Sequence, residues 1–237
     1  MKKILLFVFI IFISVGVSQD IIYTTTLYDD ENFTGKNSRV KSINYYQKTK
    51  NGLKLFRYEE YYKISGNMSI EGPLKDGKKD GKWIWYDDNG IVTSEGNYKG
   101  GKRFGKYTFY YANGKKKKGG NYENGQEQGL WTEWYENGKK KLEEIRKNGV
   151  KDGKSSFWDE SGQKRSEGIY SIGNQNGLWT EWYENGKKEY EENYKDGVKE
   201  GKTTFWDESG QKRSEENYKD GELISEEWWD ENGNLIE

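Results

Sequence analysis

The sequence predicts an all-β fold: an elongated, single-layer antiparallel meander of β-hairpins built from 24-residue repeats. Three observations predict it. First, glycines recur at a spacing of 24: Gly81, Gly105, Gly129, Gly153, Gly177 and Gly201, with a second column from Gly90 to Gly210 and a third from Gly77 to Gly221. A fixed period of this size marks a repeat architecture. Second, each repeat carries two turn dipeptides. One is Asp/Asn-Gly, as in Asp76-Gly77, Asn124-Gly125 and Asp196-Gly197; the other is Asn/Ser-Gly, as in Asn89-Gly90, Asn137-Gly138 and Ser209-Gly210. Such pairs supply the positive φ that hairpin turns require. Third, the short segments between turns are rich in Trp, Tyr, Phe and Thr, which favour strands, and no segment has a helical apolar period.

Composition explains why the sheet needs only one layer. Without its first 18 residues the chain keeps 219, of which 31 are Leu, Ile, Val or Phe. That is about 14%, below the ~20% that signals disorder. Yet 35 aromatic residues remain, and disordered chains are poor in them. Rings, with the stems of Lys and Arg, replace the aliphatic core.

The elements follow in order. Residues 1–18, MKKILLFVFIIFISVGVS, read as a signal peptide. Lys2 and Lys3 precede an apolar run from Ile4 to Val17, and Gly16 and Ser18 are small residues before a cut at Ser18-Gln19. The run is shorter than the ~20 residues that cross a bilayer. Export to the periplasm, cell surface or medium is therefore expected, with an uncleaved anchor as the alternative. No later segment is apolar enough to span a membrane. Residues 19–48 lie outside the period and are expected to cap the array, since a repeat array needs a distinct end. Residues 49–237 hold seven repeats and a partial eighth. A 48-residue pair is also duplicated: GLWTEWYENGKK stands at 129–140 and 177–188, and FWDESGQKRSE at 157–167 and 205–215. At ~4.8 Å per strand, two strands per repeat give a monomeric ribbon roughly 70 Å long.

Within a repeat, alternation sorts the side chains. Trp134 shares a face with Thr132, while Trp131, Glu133 and Tyr135 take the other. The column Tyr86, Tyr110, Trp134, Trp158, Trp182, Trp206 and Trp229 reads as structural. The alternating face supplies the candidate binding residues Trp131, Glu133, Tyr135, Trp179, Glu181 and Tyr183. Fold cover is the competing reading of each ring. A two-residue turn at Asn137-Gly138 sets Trp134 against Lys141, Trp158 against Arg165, Trp206 against Arg213 and Trp182 against Glu189. It also sets Thr132 against Glu143 and Thr180 against Glu191; a three-residue turn shifts these pairs by one.

Absences narrow the chemistry. With 0 His and 0 Cys there is no Ser-His-Asp or Cys-His catalysis, no thiolate ligand and no disulfide. The 40 Asp and Glu recur with the repeat, so no catalytic pair stands out, and a non-enzyme without cofactor is expected. Asp87-Asp88-Asn89-Gly90 and the run from Asp76 to Gly81 lack calcium-loop spacing, so they read as turns and no metal site is expected. Net charge is -1 for the whole chain, which gives no basic field for nucleic acid. The run Lys115 to Lys118 reads as a solvated strand that discourages edge pairing.

The pattern Gly129-Leu130-Trp131-Thr132-Glu133-Trp134-Tyr135-Glu136-Asn137-Gly138, followed by Glu215-Glu216-Asn217-Tyr218-Lys219-Asp220-Gly221, resembles the MORN repeat variant family of bacteria. The resemblance covers about four-fifths of the chain. It implies hairpin repeats used for binding or scaffolding, without catalysis. Similar sequences are often labelled YwqK-type antitoxins of toxin–antitoxin systems, a role that the leader counts against. MORN repeats elsewhere are linked to membrane lipids or protein assembly, and the lack of net basic charge argues against the lipid role. The short aromatic hairpins also look like cell-wall-binding repeats. The expected partner is a protein or, alternatively, a surface glycan, with avidity for a repetitive ligand.

Overall fold

The computed structural model describes residues 21–27, 40–62 and 64–236. The leader and its cleavage point lie outside them. The chain forms two compact units that divide between Lys115 and Lys116. Among the described residues all regular structure is strand, and no helix is long and apolar enough to cross a membrane.

The first unit contains β1 (Ile21–Leu27), β2 (Val40–Thr49), β3 (Gly52–Tyr61), β4 (Met68–Lys75), β5 (Lys78–Lys79), β6 (Gly81–Tyr86), β7 (Val92–Lys99) and β8 (Lys102–Tyr110). Each strand pairs antiparallel with the next, the short β5 sharing β4 with β6. Part of the segment before the repeats, β1 and most of β2, is thus paired strand continuous with the meander.

The second unit contains β9 (Lys116–Glu123), β10 (Gln126–Trp134), β11 (Lys140–Lys147), β12 (Val150–Trp158), β13 (Lys164–Ser171), β14 (Asn174–Gln175), β15 (Gly177–Trp182), β16 (Lys188–Lys195), β17 (Val198–Lys199), β18 (Gly201–Trp206), β19 (Lys212–Lys219) and β20 (Glu222–Trp228). It is the same antiparallel meander.

Both turn types follow from their dipeptides. Asn124 and Gly125 have φ of 52° and 88°, as do their equivalents Asp196 and Gly197 at 51° and 87°. Two successive positive φ values make the primed two-residue turn that suits strand twist. The other turn is three residues long. Gly138 N–H donates to Tyr135 O at 2.9 Å, and Tyr135 N–H donates to Lys139 O at 2.9 Å. Gly138 has φ 92°, so a type I turn closes through a left-handed residue.

This turn fixes the register. Trp134 faces Lys140, Trp158 faces Lys164, Trp182 faces Lys188 and Trp206 faces Lys212. These are one residue short of the pairs that a two-residue turn gives. Thr132 nevertheless opposes Glu143, and Thr180 opposes Glu191. A bulge just inside the turn absorbs one residue, leaving Lys141, Arg165, Glu189 and Arg213 unmatched in the ladder.

One face of the sheet carries the core. Its central positions, all buried and 24 apart in sequence, are Trp83 and Tyr107 in the first unit and Trp131, Ser155, Trp179 and Thr203 in the second. Neighbouring strands complement them by size. Trp83 lies on Gly72, Trp131 on Gly120 and Trp179 on Gly168, so closely that a Cβ at Gly168 would stand 2.2 Å from the Trp179 ring. Ser155 and Thr203 are small; Glu144, buried to 2% exposure, stands opposite Ser155, and the buried Glu192 lies on the strand next to Thr203, one residue beyond the Glu191–Thr204 pair. Lys151 Nζ meets Glu144 at 3.1 Å and Lys199 Nζ meets Glu192 at 2.5 Å. The two alternating repeat types are therefore two ways of paving one surface: a ring over glycine, or a lysine–glutamate pair over a small hydroxyl residue.

Candidate functional site

The candidate residues read from the sequence are distributed among structural duties. Trp131 and Trp179 are 1% and 8% exposed, and both belong to the buried central column. Trp179 Nε1 donates to Ile169 O at 3.2 Å, and the ring meets Tyr170 edge-on. Tyr135 and Tyr183 hydroxyls donate at 2.8 Å to Trp158 O and Trp206 O, bolting each repeat to the next. Asn137 and Asn185 side-chain amides reinforce this on Glu160 O and Glu208 O. Glu133 lies 3.7 Å from Lys118 Nζ, and Glu181 accepts from the Tyr190 hydroxyl. Burial, and then Glu181, push the Tyr190 phenol well up.

On the opposite face of each unit stand the residues of the second aromatic column, Tyr86 and Tyr110 in the first unit and Trp134, Trp158, Trp182, Trp206 and Trp229 in the second, every one half-buried. In the second unit lysines fill the gaps between its rings. Trp158 has Lys140 Nζ at 5.9 Å and Lys164 Nζ at 5.8 Å, and Trp206 has Lys188 Nζ at 5.5 Å. Each such contact contributes about 0.5–1 kcal/mol at an exposed site. Because lysines from neighbouring strands approach the ring faces, a ligand would meet mainly ring edges. The same lysines hold a row of carboxylates: Lys140 with Glu143 at 2.6 Å, Lys164 and Lys154 with Glu167, and Lys188 with Glu191 at 2.5 Å. Burial tends to raise the Glu167 pKa, but the two lysines and the Ser156 hydroxyl outweigh it and bring it to about 2.

The regular paving opens between β18 and β20. On the core face of the second unit a hollow of about 500 Å³ is lined by Tyr183, Glu189, Tyr190, Phe205, Trp206, Asp207, Arg213, Ser214, Glu216 and Trp228. Its origin is local. Phe205 and Trp228 both pair with Ser214, one from each side. Two strands set their backbones about 10 Å apart, with a single small side chain between. Tyr190 backs Phe205, with ring centroids 5.9 Å apart. Trp228 is 40% exposed. The bulge residues Glu189 and Arg213, displaced from the ladder, reach the rim.

The polar groups of this hollow are unequal. Asp207 Oδ1 accepts from Ser209 and Gln211, which holds its carboxyl below the usual range, and its Oδ2 lies 3.8 Å from Arg213 Nε. Glu216 accepts from the Tyr218 hydroxyl at 2.7 Å. Among the described residues Glu189 has no hydrogen-bond or ion-pair partner. A concave, largely apolar volume with a few convergent polar groups is the usual form of a binding site.

Of the candidate binding residues read from the sequence, Tyr183 lines this hollow, with Glu181 bound behind its wall, and Trp206 of the structural column lines it too. Sequence reasoning missed Glu189, Phe205, Arg213 and Trp228. A signal existed: the equivalents of Glu189 at the 24-residue spacing are Thr93, Lys117, Lys141, Arg165 and Arg213, so it is the one acid in a column that is otherwise cationic or neutral.

Five segments match the MORN repeat variant. They are residues 79–99, 127–148, 151–171, 175–196 and 199–220, and each spans the two long strands of one repeat with the three-residue turn between them. No curated protein matches the chain. MORN-variant repeats account for the hairpin architecture, and such repeats generally mediate binding rather than catalysis.

Proposed function

We propose that this chain is an exported, non-enzymatic module that holds a partner protein at the hollow around Ser214, the other repeats serving as scaffold. The observation that carries the reading is the break in paving. Elsewhere in the central part of the sheet, rings cover glycines or lysines cover glutamates, and the tyrosine bolts of the repeats are spent on the next repeat. Between Phe205 and Trp228 the surface stays open, with Glu189 unpartnered. Support for export comes from the leader composition.

A photo-crosslinking amino acid placed at Trp228 in the full chain, expressed in its own compartment, tests this. The expected result is one dominant protein adduct, lost when Ser214→Trp fills the hollow and absent when the crosslinker replaces Lys154 on the opposite face. Equal adducts from both faces, or none, would overturn it. Retention on peptidoglycan without a protein adduct would transfer the reading to a surface glycan. Recovery of the uncleaved chain in the cytosol with one toxic partner would transfer it to an antitoxin-like role. Mass spectrometry of the mature chain should give an N-terminus at Gln19.

A further inference from the structure

We infer that the group taken by the hollow is an arginine side chain of the partner. This rests on the reading above and deepens it. Three features of the hollow converge on a planar cation. The walls are aromatic: Phe205, backed by Tyr190, faces Trp228 across Ser214. Ring faces attract cations, and a guanidinium stacks on them flat, which an ammonium does not. The gap suits a flat group, since the wall strands stand about 10 Å apart and each wall ring takes up part of that width.

The charge is complementary. Glu189, Asp207 and Glu216 face a single cation, Arg213. Arg213 lies beside Asp207 at 3.8 Å, and Glu216 is held by Tyr218 at 2.7 Å. Glu189 is left as the carboxylate with open acceptor positions, on a bulge that lifts it out of the ladder. A guanidinium between the rings can present its fork to this carboxylate. The repeat supplies an internal comparison. At the equivalent position the other repeats place Thr93, Lys117, Lys141, Arg165 and Arg213, so an acid at this position is peculiar to the repeat that borders the hollow.

The probe is the peptide acetyl-Gly-Arg-Gly-amide, titrated into the mature full chain while the indole N–H resonances of Trp228 and Trp206 are followed by NMR. Citrulline replaces arginine in a second peptide, keeping the shape and removing the charge; lysine replaces it in a third. The expected result is a saturable Trp228 shift with the arginine peptide, at least tenfold weaker binding of the citrulline peptide and several-fold weaker binding of the lysine peptide. Glu189→Gln should weaken the arginine peptide about tenfold. It should leave the far-UV spectrum unchanged, because the side chain has no partner to lose. Raising salt should weaken binding. Equal binding of the arginine and citrulline peptides, or no change with Glu189→Gln, would overturn the inference. So would the absence of any Trp228 shift. If crosslinking from Trp228 still depends on an open hollow, the partner reading stands and only the arginine assignment falls; if both fail, both readings fall.

Discussion

Replacing Gly168 with alanine puts a methyl group where the Trp179 indole now lies. The added Cβ would stand 2.2 Å from Cδ2 and Cε2 of that ring and 2.5 Å from Nε1. Carbon atoms in contact prefer ~3.5–4.0 Å, so ring or strand must move by more than about 1 Å. Gly168 is not among the positive-φ glycines, so no backbone strain enters. The ring has little freedom, being 8% exposed and tied through Nε1 to Ile169 O at 3.2 Å. Overpacking costs about 1–3 kcal/mol and the lost hydrogen bond about 1 more. A destabilisation of about 2–4 kcal/mol is therefore expected, against about 3–5 for Trp179→Ala. The double variant is the decisive measurement. Without the ring the three atoms nearest the new methyl are gone, so Gly168→Ala should cost far less on the Trp179→Ala background, a coupling of about 2–4 kcal/mol. Because a repeat array can open locally, the assay is amide hydrogen exchange across β13–β16, alongside urea unfolding followed by circular dichroism. A cost below about 0.5 kcal/mol for Gly168→Ala, or additive costs in the double variant, would refute the ring-over-glycine account.

Other sites give independent tests. Ile172 sits at φ 47° and 79% exposed, where its equivalents are Asn, Asp or Gly. A β-branched residue is strained there, so Ile172→Asn should raise stability by about 1 kcal/mol, read as a higher urea midpoint. Tyr135→Phe removes the bolt to Trp158 O at 2.8 Å and should cost about 1 kcal/mol, with faster exchange at the 135–139 turn. The Glu167 pKa is depressed from 4.5 to about 2, so its stabilising contribution is full above about pH 4.5 and is lost as pH falls toward 2. Glu167→Gln should therefore flatten the fall in stability across that window, and an unchanged acid profile would count against the lysine clamp. The Tyr110 phenol is pushed up to about 12, by burial first and then by its bond to Glu95, so ultraviolet titration of Tyr110→Phe should lose a late-ionising phenol.

Much of the architecture was legible because the period is strict. Glycine columns located the turns, and Asn-Gly or Asp-Gly pairs determined their positive φ whatever the surroundings. Aromatic enrichment, with little Leu, Ile or Val, pointed to a single sheet. Alternation along a strand correctly separated Trp134 from Trp131. The hairpin register was not legible, because a three-residue turn and its bulge act together. The bulge shifts Trp134 onto Lys140 while leaving Thr132 opposite Glu143, and no dipeptide encodes that compensation.

Which aromatic column becomes core depends on residues a strand away. Nothing within Trp131 or Trp134 distinguishes them as rings. Gly120 gives Trp131 a surface to lie on, while neighbouring lysines keep Trp134 and its equivalents half-exposed. The hollow has the same origin. Phe205, Ser214 and Trp228 are distant in sequence, and Glu189 reaches their rim only because a bulge lifts it out of register. The sequence by itself determined the strands, the turns and the period, since these rest on local φ preferences and alternation. Tertiary structure alone decided which face is buried and where the paving stops, because both depend on side-chain volumes meeting across strands.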